Sequence, residues 1–183
     1  MNVIKTAIEG VVIIEPKIFK DARGYFFESF SKREFDEKVA KVDFVQDNES
    51  GSSYGVMRGL HFQYPPFAQA KLVRCVKGSV LDVAVDIRKG SPTYGKHVSC
   101  LLTEDNHRQF FIPRGFAHGF AVMSDTAVFQ YKCDNYYHPE ADGGISILDE
   151  SLGIDWKIDP TKALLSEKDT HHPLLKDFDS PFA

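Results

Sequence analysis

Gly55-Val56-Met57-Arg58-Gly59-Leu60-His61-Phe62-Gln63 is the stretch on which the fold of this chain turns, read together with Pro113-Arg114-Gly115-Phe116-Ala117-His118. The second stretch has the spacing P-x-G-x-x-H, and the first places a histidine two residues after a glycine. Around them lie short runs of branched and aromatic residues cut by Gly, Pro, Asn and Asp. In the run 81–88, Leu81, Val83, Val85 and Ile87 alternate with Asp82, Ala84, Asp86 and Arg88, which is the period of a strand with two unlike faces. Residues 72–76, 97–103, 109–112, 120–123 and 128–133 predict further strands, with turns at Lys77-Gly78, Gly90-Ser91-Pro92, Asp105-Asn106 and Ser124-Asp125. Many short strands so punctuated favour a sandwich or barrel, including the double-sheet jelly roll.

One helix is expected. Ser31-Lys32-Arg33-Glu34 fits a capping box, with Ser31 as N-cap and Glu34 reaching back to it. Phe30 and Phe35 fit the hydrophobic staple, and Phe35 and Val39 share a face. From Pro160 on, the chain reads as loop-like with one helical turn. No repeat, linker or low-complexity tract divides residues 1–183, so a single domain is expected.

Composition narrows the function classes. The net charge of −4, with no basic run longer than two residues, argues against a phosphate-neutralising nucleic-acid surface. The three cysteines, Cys75, Cys100 and Cys133, lack C-x-x-C spacing and read as free buried thiols of a reducing compartment. No apolar run approaches the ~18 residues of a membrane span, and the N-terminus has no signal-peptide core, so a cytoplasmic location without membrane partners is expected.

The two opening stretches resemble the half-sites of a cupin barrel. The second keeps the spacing that places a metal-binding His. The first has His61-Phe62-Gln63 and then Lys71 where such barrels carry H-x-H and a Glu. Metal affinity needs several convergent imidazole or carboxylate ligands, whereas Gln ligates poorly and an ammonium repels a cation. No metal and no other cofactor is therefore expected. What remains is an imidazole beside a positive charge, which suits proton abstraction next to a carbonyl. An ordinary imidazole, with a pKa near ~6.5, is a workable general base at neutral pH.

Such a base needs a carboxylate to orient it. Composition does not choose among 26 Asp and Glu residues; Asp82, Asp86 and Asp169 are candidates. Tyr131 alternates with Phe129 and Cys133 on one strand face, so it is either a core residue or an acid lining a cavity. Tyr136 and Tyr137 could stack on a nucleobase or simply cover the core. Arg23 suits a phosphate and Glu28 a base N–H or a sugar hydroxyl, although a solvated turn explains both equally.

Taken together these residues resemble the dTDP-4-dehydrorhamnose 3,5-epimerases of deoxysugar biosynthesis. The likeness rests on Asp21-x-Arg23-Gly24-x-Phe26-x-Glu28, Gln46-x-Asn48, Arg58-Gly59-Leu60-His61-x-Gln63 and residues 82–88. It extends over 90–95 and 112–120, and through Tyr136-Tyr137-x-Pro139 and Leu165-Ser166-x-Lys168-Asp169. The resemblance implies a mostly β, cupin-type double-sheet jelly roll with a short helix in its N-terminal half and an irregular C-terminal segment. It implies a metal-free homodimer that inverts C3 and C5 of dTDP-4-dehydro-6-deoxy-D-glucose on the way to dTDP-L-rhamnose and its polysaccharides. It also implies His61 as base, Asp169 as its partner, Tyr131 as acid and Lys71 at the enolate oxygen, with His118 in the sugar pocket. Arg23, Phe26, Glu28, Gln46, Asn48, Arg58, Tyr137, Asp142 and Lys168 would hold the nucleotide, Tyr137 by stacking on thymine. The segment with Arg23 and Glu28 would reach into the partner subunit's site. Asp142 departs from the family, which commonly has Glu there, one methylene longer.

Other readings stay in view. One is a C3-only epimerase of a related 4-keto sugar nucleotide. Another is a metal-dependent cupin, against which Gln63 and Lys71 argue. The last is a non-catalytic sugar-nucleotide binder, against which the set His61, Lys71, Tyr131 and Asp169 argues.

Overall fold

Two antiparallel sheets face one another across a core of branched and aromatic side chains. The computed structural model describes residues 1–183. One sheet runs in the order β1 (Asn2–Lys5), β2 (Val12–Glu15), β10 (Gln109–Ile112), β7 (Lys71–Lys77), β12 (Thr126–Cys133) and β5 (Gln46–Ser53). The other runs β13 (Asp142–Gly144), β6 (Met57–Gln63), β11 (Phe116–Val122), β8 (Ser79–Asp86) and β9 (His97–Thr103). A hairpin of β3 (Phe19–Asp21) and β4 (Gly24–Phe26) belongs to neither sheet, and α1 spans Lys32–Lys38. This is the mostly β double-sheet architecture that the strand pattern and the cupin resemblance led us to expect.

Val73, Phe110, Ile112 and Phe129 from the first sheet meet Val80, Ala84, Leu102, Phe116, Phe120 and Val122 from the second. Each such side chain contributes roughly 1.5–3 kcal/mol on burial. The alternation in β8 leaves open which face is interior, and the fold assigns it. Leu81, Val83 and Val85 face away from the opposing sheet and form a second core with Met57, Leu60, Phe62 and Ala117. The C-terminal segment closes that core from outside through Ile145, Ile147, Trp156, Leu175, Phe178 and Phe182. The face carrying Asp82 is therefore the interior one, and both Asp82 and Asp86 have 0% exposure. Asp86 is spent on structure: its carboxylate accepts from the Arg88 guanidinium and from the hydroxyls of Ser91 and Thr93. These bonds overcome its burial and hold the carboxyl far below its ordinary value.

Two local expectations change. Beyond Pro160 the chain makes three 3₁₀ turns, Pro160–Lys162, Lys168–Thr170 and Leu175–Asp177, rather than one helical turn. At α1, Ser31 accepts the Glu34 N–H at 3.4 Å, but Glu34 does not reach back. Its carboxylate takes the Met1 ammonium at 2.8 Å and Lys38 at 2.7 Å, because two full charges outcompete one neutral N–H. The staple forms, with the Phe30 and Phe35 rings 5.8 Å apart, and Phe35 packs on Ile14, Leu72 and Phe111 on the outer face of the six-stranded sheet.

Candidate active site

β6 and β11 pair so that His61 stands directly opposite His118, both on the interior face. Their close approach depends on Gly59. It sits at φ +130°, and a Cβ there would lie 2.6 Å from Gly119 Cα and 2.7 Å from the His118 carbonyl. The Gly59 N–H then donates to Asp169 Oδ2 at 3.2 Å. The other oxygen, Oδ1, lies 2.5 Å from His61 Nε2. Asp169 comes from the 3₁₀ turn Lys168–Thr170 and is 2% exposed. Burial opposes its charge, but the bonds from His61 and Gly59 outweigh that and hold the carboxyl below its ordinary value. Of the three candidate carboxylates it is the one that binds His61; the side chain of His61 keeps 29% exposure and so remains reachable.

Asp82 partners the second imidazole. His118 Nε2 lies 2.9 and 2.8 Å from its two oxygens, deep in the core. Burial pushes His118 down toward the neutral imidazole, and burial pushes the Asp82 carboxyl up against the pull of His118. His118 stacks on Phe129 at 6.2 Å, and Phe129 meets Tyr131 at 5.9 Å, so one line of rings joins the two walls of the cavity. The Lys71 ammonium lies 5.7 Å from the Tyr131 ring centroid and has no carboxylate within ion-pair distance. Lys71 is half-buried. Loss of water around the ammonium lowers its pKa, partly offset by Cys133, Asp82 and Asp142. Burial raises the Tyr131 phenol, which keeps it protonated and able to donate.

Gln63 is committed to structure, which explains why a half-site ligand position can hold it. Its Nε2 donates to the carbonyls of Phe67 and Tyr136 at 2.7 and 3.1 Å, and its Oε1 accepts the His138 N–H at 2.8 Å. One group of potential cation ligands includes His61 itself: His61, Asp169 and His172 bring one ligand atom each within 4.8 Å of one another. His61 Nε2 and Asp169 Oδ1 stand 2.5 Å apart, close enough to hydrogen-bond directly. Two ligands on one tetrahedral zinc, at bond lengths of ~2.0–2.2 Å, stand about 3.3 Å apart.

The expected nucleotide-holding residues divide into two groups. Gln46, Asn48 and Tyr137 lie together: Gln46 Nε2 donates to Asn48 Oδ1 at 3.1 Å, and Gln46 Oε1 accepts the Tyr137 N–H at 3.0 Å. Tyr137 is 53% exposed, open to a flat ligand. Asn48 lies opposite Tyr131 across β5 and β12. Arg58 is exposed and bonds only Ser52 Oγ, at 3.3 and 3.2 Å. Asp142 and Lys168 form an ion pair with each other, which raises the lysine pKa.

Arg23, Phe26 and Glu28 are not part of that assembly. They sit on or beside the β3–β4 hairpin, where Arg23 is held by Asp21 at 2.6 Å and Phe26 is 71% exposed. The hairpin's base is fastened to the outside of the six-stranded sheet: Arg74 lies over Phe27 at 5.8 Å, and Gln109 Nε2 donates to the Ser29 carbonyl at 2.6 Å. A concavity of about 360 Å³ beside it is lined by Asp47, Glu49, Arg74, Gln130 and Lys132 and also by Asn48 and Tyr131, but by none of His61, Lys71, His118 or Asp169. Sequence reasoning passed over His172, whose spacing of three residues from Asp169 was the available signal.

Comparison with known proteins gives a consistent answer. A family model described as dTDP-4-dehydrorhamnose 3,5-epimerase matches residues 5–177. The chain is similar to the dTDP-4-dehydrorhamnose 3,5-epimerase of Shigella flexneri, 54% identical over 98% of both chains. It is similar in structure to a dTDP-6-deoxy-D-glucose-3,5-epimerase of Legionella pneumophila solved with dTDP-4-keto-L-rhamnose: TM-score 0.93, 50% identity, covering 97% of this chain and 94% of that one. A 3'-monoepimerase of Streptomyces bikiniensis solved with dTDP-quinovose is more distant, with TM-score 0.87 and 33% identity over 94% of this chain and 87% of that one. No helix is long and apolar enough to cross a membrane.

Proposed function

The chain belongs to the dTDP-4-dehydrorhamnose 3,5-epimerase family, and from that premise we propose how its residues invert C3 and C5 of dTDP-4-dehydro-6-deoxy-D-glucose to give dTDP-4-dehydro-L-rhamnose. The observation that carries the mechanism is an imidazole bound to a buried carboxylate at 2.5 Å, in a cavity that also holds an ammonium without a carboxylate partner. The C4 ketone acidifies the C–H bonds on either side of it. His61 takes a proton from one face, with Asp169 fixing its tautomer and stabilising the imidazolium that forms. The electron pair moves onto the C4 oxygen, where the Lys71 ammonium meets the growing charge. Tyr131 returns a proton to the opposite face, and His61 and the phenolate reset through solvent. One proton leaves and one enters at each carbon, so no redox step is needed.

Gln46, Asn48, Arg58 and Tyr137 hold the nucleotide, with Tyr137 stacked on thymine. Asp142 engages it through Lys168, in the place of a longer Glu. Arg23, Phe26 and Glu28 act in trans: the exposed hairpin enters the site of a second copy, so the working unit is a homodimer in the cytoplasm. The attachment of the hairpin's base to Arg74 and Gln109 of the six-stranded sheet, with no contact to His61 or Asp169, supports this arrangement. The test of function is incubation with dTDP-4-keto-6-deoxyglucose in deuterium oxide with a strong chelator, followed by NMR. We expect deuterium at C3 and C5 and full activity in the chelator. Exchange at C3 alone would favour the monoepimerase reading, and activity that returned only with added metal would overturn the mechanism.

The shared site makes its own prediction. Arg23→Ala removes a charge-assisted phosphate contact worth roughly 1.5–3 kcal/mol, a loss of about 10–100-fold in affinity. Equal mixing of Arg23→Ala with His61→Ala chains should restore about a quarter of the parent activity. Half the dimers are then mixed, and each mixed dimer has one of its two sites intact. Mixing His61→Ala with Asp169→Asn chains should restore nothing, because both residues serve the same subunit's site. Absence of rescue in the first mixture, with subunit exchange verified, would rule out a shared site.

A further inference from the structure

His172 takes no part in the steps above, yet it is built into the same carboxylate. Its Nε2 is buried and makes no hydrogen bond, although it lies 3.3 Å from Asp169 Oδ1, the oxygen that His61 meets at 2.5 Å. The two imidazoles stand edge to face with centroids 5.8 Å apart. The slot for His172 is cut by Gly144, where a Cβ would fall 2.7 Å from both Cε1 and Nε2 of the ring. The Ser146 N–H donates to the Pro173 carbonyl at 2.8 Å and fastens the adjoining backbone to the end of the sheet. His172 therefore cannot turn away without opening a void. Around the three groups stand Lys168 on the same turn, Asp142 of β13 paired to it, and, beyond His61, His118 of β11, Asp82 of β8 and Lys71 of β7. Burial, reinforced by His61, lowers the pKa of His172, which keeps the ring neutral with a single N–H to give.

We infer that His172 is a positioning residue: its Nε2, 3.3 Å from Asp169 Oδ1 and short of a hydrogen bond to it, sets a polar group against the oxygen that His61 meets and so limits how strongly the carboxylate holds the imidazolium of the base. This rests on the assignment of His61 as the base. A carboxylate oxygen that also faces the polar edge of His172 is a weaker partner for the imidazolium. A proton held less firmly is returned or exchanged more readily.

The experiment is the pH profile of kcat/KM for epimerisation in the parent, His172→Ala and His172→Gln, with thermal unfolding measured alongside. Gln places an amide N–H near the position of Nε2, whereas Ala removes it. In His172→Ala the acid limb should move to higher pH by about half a unit or more, kcat should fall several-fold and KM should stay within about twofold. In His172→Gln the limb should remain near that of the parent. His172→Leu, which fills the slot, should behave as Ala does and serves where Ala does not fold. An unmoved acid limb in both apolar variants, or a limb that moves as far in Gln as in Ala, overturns the inference. A parent that neither exchanges nor inverts the sugar overturns the assigned chemistry instead.

Discussion

His61→Ala should abolish solvent-deuterium exchange at both C3 and C5, lowering it by about 10²–10⁴-fold, while dTDP binding stays close to that of the parent. The separation of effects follows from the geometry. His61 is tied to Asp169 rather than to any expected nucleotide-holding residue, and it keeps 29% side-chain exposure on the cavity side. Removing it leaves Gln46, Asn48, Arg58 and Tyr137 in place. Asp169→Asn should act in the same direction, by roughly 10²-fold or more, for a different reason. An amide in place of Oδ1 or Oδ2 either faces the imidazole N–H with its own N–H or loses the bond from Gly59. Near-normal exchange in His61→Ala would show that another group is the base. Loss of dTDP binding along with exchange would show that the histidine supports the fold of the site.

Tyr131→Phe should separate exchange from inversion. The ring and its contact with Phe129 at 5.9 Å are kept, and only the proton donor is lost. His61 still removes protons and returns solvent deuterons to the same face. The variant should therefore incorporate deuterium while its yield of inverted sugar falls by about 10²–10⁴-fold. The raised pKa of the phenol, caused first by burial, supports its standing as a proton donor at neutral pH. Inversion at both centres near the parent rate would assign the acid to water or another residue. A variant that neither exchanged nor bound substrate would give the hydroxyl a structural role.

Much of the architecture was legible in local patterns. Strands 97–103 and 109–112 fall on the residues their branched and aromatic runs indicated, and Gly78 and Ser124-Asp125 turn the chain where expected. Strand β5, with the sequence QDNESGSS, was not legible. It is polar and lies at the edge of its sheet, held by pairing with β12 rather than by an apolar face, so it has no hydrophobic period to read. The end of β8 at Asp86 rather than Arg88 was hidden for a related reason. The Asp86 carboxylate draws the Arg88 N–H and side chain into a turn, and alternation carries no record of that competition.

The sequence by itself determined a sandwich or barrel of short strands, and its motifs together with the family resemblance singled out His61, Lys71, His118 and Tyr131 as candidates for the chemistry. A strand's period and a motif's spacing are local properties, written within a few residues. Only the tertiary structure decided which face of β8 is interior, because both faces are buried and one is covered by a C-terminal segment with no period of its own. Spacing chose none of Asp82, Asp86 and Asp169; the tertiary structure puts Asp169, 108 residues away, on His61, as the family resemblance implied, and it alone brings His172 Nε2 to 3.3 Å from the same oxygen. Carboxylates compete for an imidazole through distance and desolvation, and both are set by chain closure rather than by the order of residues along the chain.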